Sequence, residues 1–213
     1  MSPMVGQSEL AFRELCREHG TELCYTPMFI SDVFVSSKKY RKKVWQTNEK
    51  DRPLIVQFCG SNADTLLRAA KMVEKDCDAV DLNLGCPQKV AERGQYGAFM
   101  MDRHHWPNIR KIVSTMSRGL SIPVTVKVRV FEDVSKTLAY CEMLQESGAS
   151  LLAIHPRTRT QREEVMADWA QIRRVKERLR IPVIANGDCW HAEDVWLCMC
   201  QTGADGVMSA QGL

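Results

Sequence analysis

The chain has 213 residues, 45% of them hydrophobic and 26% charged, with a formal net charge of +3, a composition typical of a globular domain. No stretch of about 18 apolar residues predicts a membrane-spanning helix, and the N-terminal sequence lacks the basic and apolar regions of a secretory signal, so we expect a protein of the cytoplasm, the nucleus or both, without membrane contact. The small positive charge permits an anionic partner without requiring one.

Short runs rich in valine, isoleucine and leucine alternate along the chain with amphipathic helical patterns. This alternation, with nearly continuous apolar strands, predicts an α/β fold in which helices cover a parallel sheet. The predicted strands are Glu22–Pro27, Leu54–Cys59, Ala79–Leu84, Val124–Arg129, Leu151–His155, Val183–Asn186 and Gly206–Ser209. The predicted helices include Ala63–Lys75, Pro107–Arg118, Val134–Ser147, Trp169–Leu179 and Ala192–Gln201.

One motif recurs where a helix gives way to the next strand. Ser-Ile-Pro-Val occupies residues 121–124, and Arg-Ile-Pro-Val occupies residues 180–183. Such a repeat favours a (β/α)8 TIM barrel over an open doubly wound sheet. No Gly-x-Gly-x-x-Gly motif follows a strand, which argues against a Rossmann dinucleotide site.

The number of strands falls short of a closed barrel. Seven strands are complete, whereas an eighth would have to end at Pro3–Met4, and the sequence stops at Gln211–Leu213 directly after the last strand. A full barrel typically needs about 250 residues. We therefore expect residues 1–213 to form one domain, a TIM barrel truncated at both ends.

Nine cysteines are scattered along the chain. Their odd number, and the position of Cys24, Cys59, Cys141 and Cys198 in apolar segments, are typical of small core residues in a reducing compartment. There is no Cys-x-x-Cys pair, so the spacing argues against a zinc site, and we predict no bound metal.

Polar side chains occur at the predicted carboxyl ends of six strands, where the active site of a barrel forms. A single buried polar group is often a satisfied core residue, but each unpaired burial costs free energy, so equivalent positions on six strands indicate a functional site. The candidates are Gln57, Asn83, Cys86, Lys127, Arg129, His155, Arg157, Asn186–Asp188 and Ser209–Ala210.

Cys86 is the first candidate for a reacting group, because Gly85 and Pro87 place it in a stiff, sharply turning loop after a strand. Its thiol could donate a proton or, as a thiolate, act as a nucleophile, and the sequence leaves both open. Lys127 is expected to hold negative charge on a cofactor or substrate. The turns that begin at Asn186 and Ser209 follow the last two strands, where barrels commonly bind phosphate.

A strongly basic run lies between the first and second predicted strands. It is either a solvated helix face or a contact for RNA phosphate, with an aromatic ring available for stacking on a base. Its residues are Lys38, Lys39, Tyr40, Arg41, Lys42 and Lys43. Arg93, Arg129 and Arg157 would extend this basic field if they lie on the same face of the barrel.

Several of these segments together resemble the tRNA-dihydrouridine synthase family, and they occur in the family's order from end to end. The Gly-Cys-Pro turn with its downstream Tyr-Gly-Ala is the most specific part of the resemblance, which is strongest toward the eukaryotic members that act in the D loop. The segments are Pro3–Val5, Val56–Cys59, Asp81–Pro87, Tyr96–Ala98, Lys127–Arg129, His155–Thr158, Asn186–Asp188 and Gly206–Ala210.

The resemblance implies an FMN-binding TIM-barrel catalytic domain that reduces the C5=C6 bond of uridine in tRNA, with NAD(P)H as electron donor. Cys86 would be the general acid, and the target base would have to be flipped out of the folded tRNA to reach the flavin. The residues implied to contact FMN are Pro3, Met4, Val5, Gln57, Lys127, His155, Asn186, Gly187, Asp188, Ser209 and Ala210.

Two other hypotheses remain open at this point. One is an FMN-barrel oxidoreductase acting on a small molecule, which shares the phosphate-binding turns but gives no reason for the basic run. The other is a truncated, catalytically impaired product. The family's C-terminal helical domain, which helps to grip tRNA, has no counterpart in the sequence, so we expect residues 1–213 alone to bind tRNA weakly and to retain FMN poorly.

Overall fold

Strands and helices alternate in the computed structural model, which describes residues 1–213. The strands are β1 (Cys24–Tyr25), β2 (Phe29–Ile30), β3 (Leu54–Cys59), β4 (Ala79–Leu84), β5 (Val124–Arg129), β6 (Leu151–His155), β7 (Val183–Asn186) and β8 (Gly206–Met208). The helices are α1 (Leu10–Glu18), α2 (Ser31–Ser36), α3 (Lys38–Val44), α4 (Ala63–Lys71), α5 (Lys89–Arg93), α6 (Trp106–Gly119), α7 (Val134–Glu146), α8 (Trp169–Arg178) and α9 (Ala192–Thr202). None of the helices is long and apolar enough to cross a membrane.

All paired strands are parallel, in the order β1-β3-β4-β5-β6-β7-β8, and β2 also pairs with β3. Alternate residues of each strand point to opposite faces of the sheet. On β5, Val124, Val126 and Val128 belong to the core shared with the outer helices. Thr125 and Lys127 therefore face the barrel interior, where the sequence predicted polar groups.

The sheet does not close, because β8 has no ladder to β1. Met1 and Ser2 lie between these two strands: the amino group of Met1 donates to the Leu23 carbonyl at 2.7 Å, and the Ser2 N–H donates to the Ser209 carbonyl at 2.8 Å. Below them a cavity of about 650 Å³ runs along the open seam. The prediction of an incomplete TIM barrel is confirmed.

The first predicted strand, 22–27, is shorter than expected. Cys24 and Tyr25 pair with β3, and Pro27 has no N–H with which to continue the ladder. The chain then returns to β3 as β2, opposite Phe58 and Cys59. Because β2 pairs with the last residues of β3, the following helix α2 starts from the carboxyl end of the barrel. Tyr40 of α3 returns to this end, where its hydroxyl accepts from the Ile30 N–H.

Candidate active site

The Cys86 turn is held from three directions at the carboxyl end of β4. The side-chain oxygen of Asn83 accepts hydrogen bonds from the N–H groups of Gly85 at 3.1 Å and of Cys86 at 2.9 Å. The Cys86 carbonyl accepts from the Ala98 N–H at 3.0 Å, and the Gly85 carbonyl accepts from Arg129 Nε at 3.0 Å. The thiol is thus a half-buried group on a fixed backbone.

Gly97 allows this close packing. It adopts a left-handed conformation with φ +66°, and a Cβ atom at this position would lie 2.7 Å from the Cys86 carbonyl oxygen and 3.0 Å from the Cys86 Cβ. No side chain fits there without displacing the turn, which explains on steric grounds why glycine follows Tyr96 in the motif.

A chain of polar side chains lies beneath the turn, inside the barrel. Asn83 Nδ2 donates to Gln57 Oε1 at 2.9 Å, and Gln57 Nε2 donates to Asp81 Oδ2 at 2.8 Å. Thr125 Oγ1 donates to the other Asp81 oxygen at 2.6 Å. Asp81 is fully buried, and this burial raises its pKa from 3.8 to about 6 against the opposing effects of its hydrogen bonds and of Lys127.

Lys127 extends into the interior from β5, and its ammonium group donates to Asn186 Oδ1 at 2.8 Å. Asn186 Nδ2 donates in turn to the Met208 carbonyl at 2.9 Å, so this pair links β5, β7 and β8. Burial and the charge of Arg129 lower the pKa of Lys127 to about 8, although Asp81 opposes them. Lys127 therefore remains largely cationic at neutral pH.

A second cluster lies at the ends of β6 and β7. Arg157 Nη1 lies 3.0 Å from His155 Nε2, and its guanidinium forms an ion pair with Asp188. Arginine can only donate, so His155 Nε2 is the unprotonated nitrogen and Nδ1 carries the proton. Burial and the neighbouring cations Lys127, Arg129 and Arg157 lower the pKa of His155 to about 2, so the imidazole is neutral.

These groups surround a cavity of about 290 Å³ at the carboxyl ends of the last strands. The backbone N–H groups of Gly187, Asp188, Cys189, Ala210 and Gln211 donate to no acceptor within the chain. A group of free N–H donors beside a lysine is suited to an anion such as a phosphate. The structure contains no cluster of three or more His, Cys, Asp or Glu side chains arranged to hold a metal ion.

Most of the predicted cofactor residues line this cavity, but two do not. Val5 is 71% exposed and lies outside it, and the carboxamide of Gln57 is buried beneath the Cys86 turn. The predicted residues that do line it are Pro3, Met4, Lys127, His155, Asn186, Gly187, Asp188, Ser209 and Ala210. The hydroxyl of Ser209 donates to the Cys189 carbonyl at 2.9 Å.

Sequence reasoning missed other residues that line the cavity. Cys189, Trp190 and Gln211 directly follow predicted positions, so longer predicted turns would have included them. Gln7 and Glu163 also line the cavity, and they come from the N-terminal segment and the long loop after β6, which carry no motif.

The basic run forms α3, and its residues have different environments. Lys38, Lys39, Lys42 and Lys43 are exposed. The Tyr40 ring packs against the core and its hydroxyl accepts from the Ile30 N–H at 3.4 Å, so the ring is not free to stack on a base as expected. Other guanidinium groups of the predicted RNA surface also serve the fold. Arg41 donates to the carbonyls of Phe34 and Val35, Arg129 and Arg157 are tied into the site, and Arg93 is exposed on α5.

An incomplete parallel barrel with a fixed cysteine turn and a donor-rich cavity at its strand ends has the architecture of a TIM-barrel enzyme. The dihydrouridine synthase (Dus) family profile matches residues 1–213, and the chain belongs to this family. It is 46% identical over 218 residues to the tRNA-dihydrouridine(16/17) synthase [NAD(P)(+)] of Schizosaccharomyces pombe and 45% identical over 219 residues to that of Saccharomyces cerevisiae.

These alignments cover 100% of this chain but 54% and 51% of the two relatives, so the chain spans about half their length. Among solved structures, the N-acetylmannosamine-6-phosphate 2-epimerase of Clostridium perfringens aligns with a TM-score of 0.55 at 13% identity, covering 93% of this chain and 76% of that one. That likeness concerns the fold alone.

Proposed function

We propose that this chain is the catalytic domain of an enzyme that reduces uridine to dihydrouridine in the D loop of tRNA, with FMN as cofactor and NAD(P)H as electron donor. The observation that carries the proposal is the Cys86 turn, which holds a half-buried thiol at the barrel mouth. Its backbone donates to the Asn83 side chain and accepts from Ala98 and Arg129. The family membership supports the same reaction.

The residues of the cavity fit FMN. The free N–H donors after β7 and β8 suit its phosphate, and Lys127 would hold negative charge on its ring system. FMN, when bound, supplies the hydride that adds to C6 of the uracil ring. Asn186 holds the Lys127 ammonium group through its side-chain oxygen. Neutral His155 accepts a hydrogen bond from Arg157 and so helps to hold the cavity wall.

Cys86 completes the addition by giving the proton of its thiol to C5. One hydride and one proton together saturate the C5=C6 bond, and the resulting thiolate regains a proton from solvent at the open mouth. Arg129 donates to the Gly85 carbonyl and so helps to hold the backbone that carries the thiol.

The exposed lysines of α3 supply the RNA-binding part of the proposal. Four cations on a short helix, whose Tyr40 contacts Ile30 at the carboxyl end of the barrel, would contact tRNA phosphates. A flavin oxidoreductase for a small molecule gives no specific reason for them.

The test uses purified protein loaded with FMN. Cys86→Ala should retain NAD(P)H-driven bleaching of the flavin absorbance but lose dihydrouridine in tRNA, measured by mass spectrometry of nucleosides. Cys200→Ala, which changes an exposed cysteine on α9, is the matched control and should leave product formation unchanged. Normal product formation by Cys86→Ala would refute the role of the thiol, and absence of flavin binding by the wild type even at saturating FMN would refute the cofactor.

A further inference from the structure

Asp81 is an acidic group that the proposed chemistry does not use. It is fully buried inside the barrel, five residues before Cys86, and it does not line the cavity. A buried carboxylate is costly unless it is hydrogen-bonded, so its retention at this place calls for a reason. The hydrogen bonds around it supply one.

The polarity of the chain that joins Asp81 to the Cys86 turn is fixed by its upper end. The N–H groups of Gly85 and Cys86 can only donate, so the atom of Asn83 that faces them must be oxygen. The amide nitrogen of Asn83 then faces Gln57, whose oxygen must accept it. The amide nitrogen of Gln57 is left facing Asp81 and requires an acceptor there.

A carboxylate is the one side chain of this size that accepts at both ends and cannot reverse its polarity. Asparagine at position 81 could turn either its oxygen or its nitrogen toward Gln57. Aspartate presents an oxygen in both orientations, because both terminal atoms of its side chain are oxygens. Thr125 donates to the oxygen that does not face Gln57.

We propose that Asp81 is a positioning residue, whose acceptor oxygen toward Gln57 fixes the orientation of the Gln57 and Asn83 carboxamides and through them the backbone of the Cys86 turn. The significance of that turn rests on the proposed function, but the orientation itself does not. The groups that face Asp81 are Gln57 from β3, Thr125 and Lys127 from β5, and Tyr25 from β1, whose buried hydroxyl has no hydrogen-bond partner.

The experiment follows amide hydrogen exchange of Gly85 and Cys86 by NMR on ¹⁵N-labelled protein at pH 8. Asp81→Leu keeps approximate size but removes both acceptors. Gln57→Glu places a second carboxylate next to Asp81 and removes the amide group that donates to it. Asp81→Asn/Gln57→Glu restores a complete chain of donors and acceptors, since the amide introduced at position 81 donates to the carboxylate introduced at position 57. Asp64→Asn, at an exposed site in the first turn of α4, is the matched control.

We expect exchange of these two amides to accelerate at least tenfold in Asp81→Leu and in Gln57→Glu, while the β5 amides stay protected. In Asp81→Asn, in the double variant and in Asp64→Asn it should stay within threefold of the wild type. Faster exchange throughout the protein, or no recovery in the folded double variant, would overturn the proposal. If Asp81→Leu does not fold, the comparison of Gln57→Glu with the double variant decides.

Dihydrouridine formation by FMN-loaded protein, measured in parallel, separates this inference from the proposed function. The expected exchange pattern in a wild-type protein that forms no dihydrouridine would confirm the orienting role of Asp81 and refute the reaction. An unchanged exchange pattern in an active enzyme would refute the orienting role and leave the reaction standing.

Discussion

Replacing Asp81 by asparagine should stabilise the protein above pH 6. The carboxyl group has a pKa of about 6 in the folded protein against 3.8 for an ordinary aspartate, because its burial disfavours the charged form. At about 1.4 kcal/mol for each tenfold change in proton affinity, the ionised group costs the folded state about 3 kcal/mol. Asparagine keeps the size and an acceptor for Gln57 but carries no charge.

The sign of the pH dependence follows from proton binding. Between pH 3.8 and 6 the folded state holds a proton on Asp81 that the unfolded state has released, so the stability contributed by this group falls as pH rises through that window. Above pH 6 the ionised carboxyl group lowers the free energy of unfolding by its full amount of about 3 kcal/mol. The advantage of Asp81→Asn should therefore be small at pH 3.5 and grow by about 3 kcal/mol by pH 7.

Urea unfolding of both proteins at matched ionic strength, from pH 3.5 to 8, measures this difference directly. The contributions of the other titrating groups cancel in the difference between the two free energies of unfolding, because both proteins contain these groups. Asp64→Asn, at an exposed carboxyl group, should show no such growth with pH. A difference between Asp81→Asn and the wild type that changes by less than about 1 kcal/mol over this range would refute the buried, ionised state of Asp81.

Three further predictions test the turn, the fold and the basic helix. Gly97→Ala should reduce dihydrouridine formation at least tenfold without loss of flavin reduction, because the added Cβ would clash with Cys86. Gly203→Ala is the control, since Gly203 has the same φ of +66° but an added Cβ there would have no atom within 4 Å. This variant should leave product formation unchanged. Asp51→Asn should lower the unfolding free energy by about 3–5 kcal/mol in urea titrations, since Arg13 would remain buried without its counter-ion, and a decrease below about 1 kcal/mol would contradict this. Replacing the four exposed lysines of α3 by glutamine should weaken tRNA binding in filter assays. The slope of log affinity against log salt concentration should decrease in magnitude by up to about 0.7–0.9 for each phosphate that the variant no longer neutralises. An unchanged slope would exclude α3 from the RNA surface.

The sequence was sufficient to predict the barrel and the strand ends, because both depend on local patterns. Alternation in Val124–Arg129 assigns its valines to one face and Lys127 to the other, as the structure confirms. The same rule applied to Ala79–Leu84 would have placed Asp81 inside the barrel beside Asn83. The alternation in this strand therefore carries the signal for a buried aspartate.

Other features depend on contacts between distant loops. Asp188 lines the cavity, and its carboxylate pairs with Arg157 and accepts the Ala167 N–H at 2.5 Å, an arrangement that depends on the path of the loop after β6. Tyr40 lies in a seven-residue helix, too short for periodicity to show that its ring packs inward. No local pattern predicts such pairings.

The charges of the interior explain why the cavity favours an anion. Arg157 forms an ion pair with Asp188, and the buried carboxylate of Asp81 attracts Lys127. Burial and the positive charge of Arg129 lower the pKa of Lys127 to about 8, and burial and the charge of Arg157 lower the pKa of Arg129 to about 10. An anionic group bound among the free N–H donors would reverse part of both shifts, so its binding free energy includes the relief of repulsion already present in the folded protein.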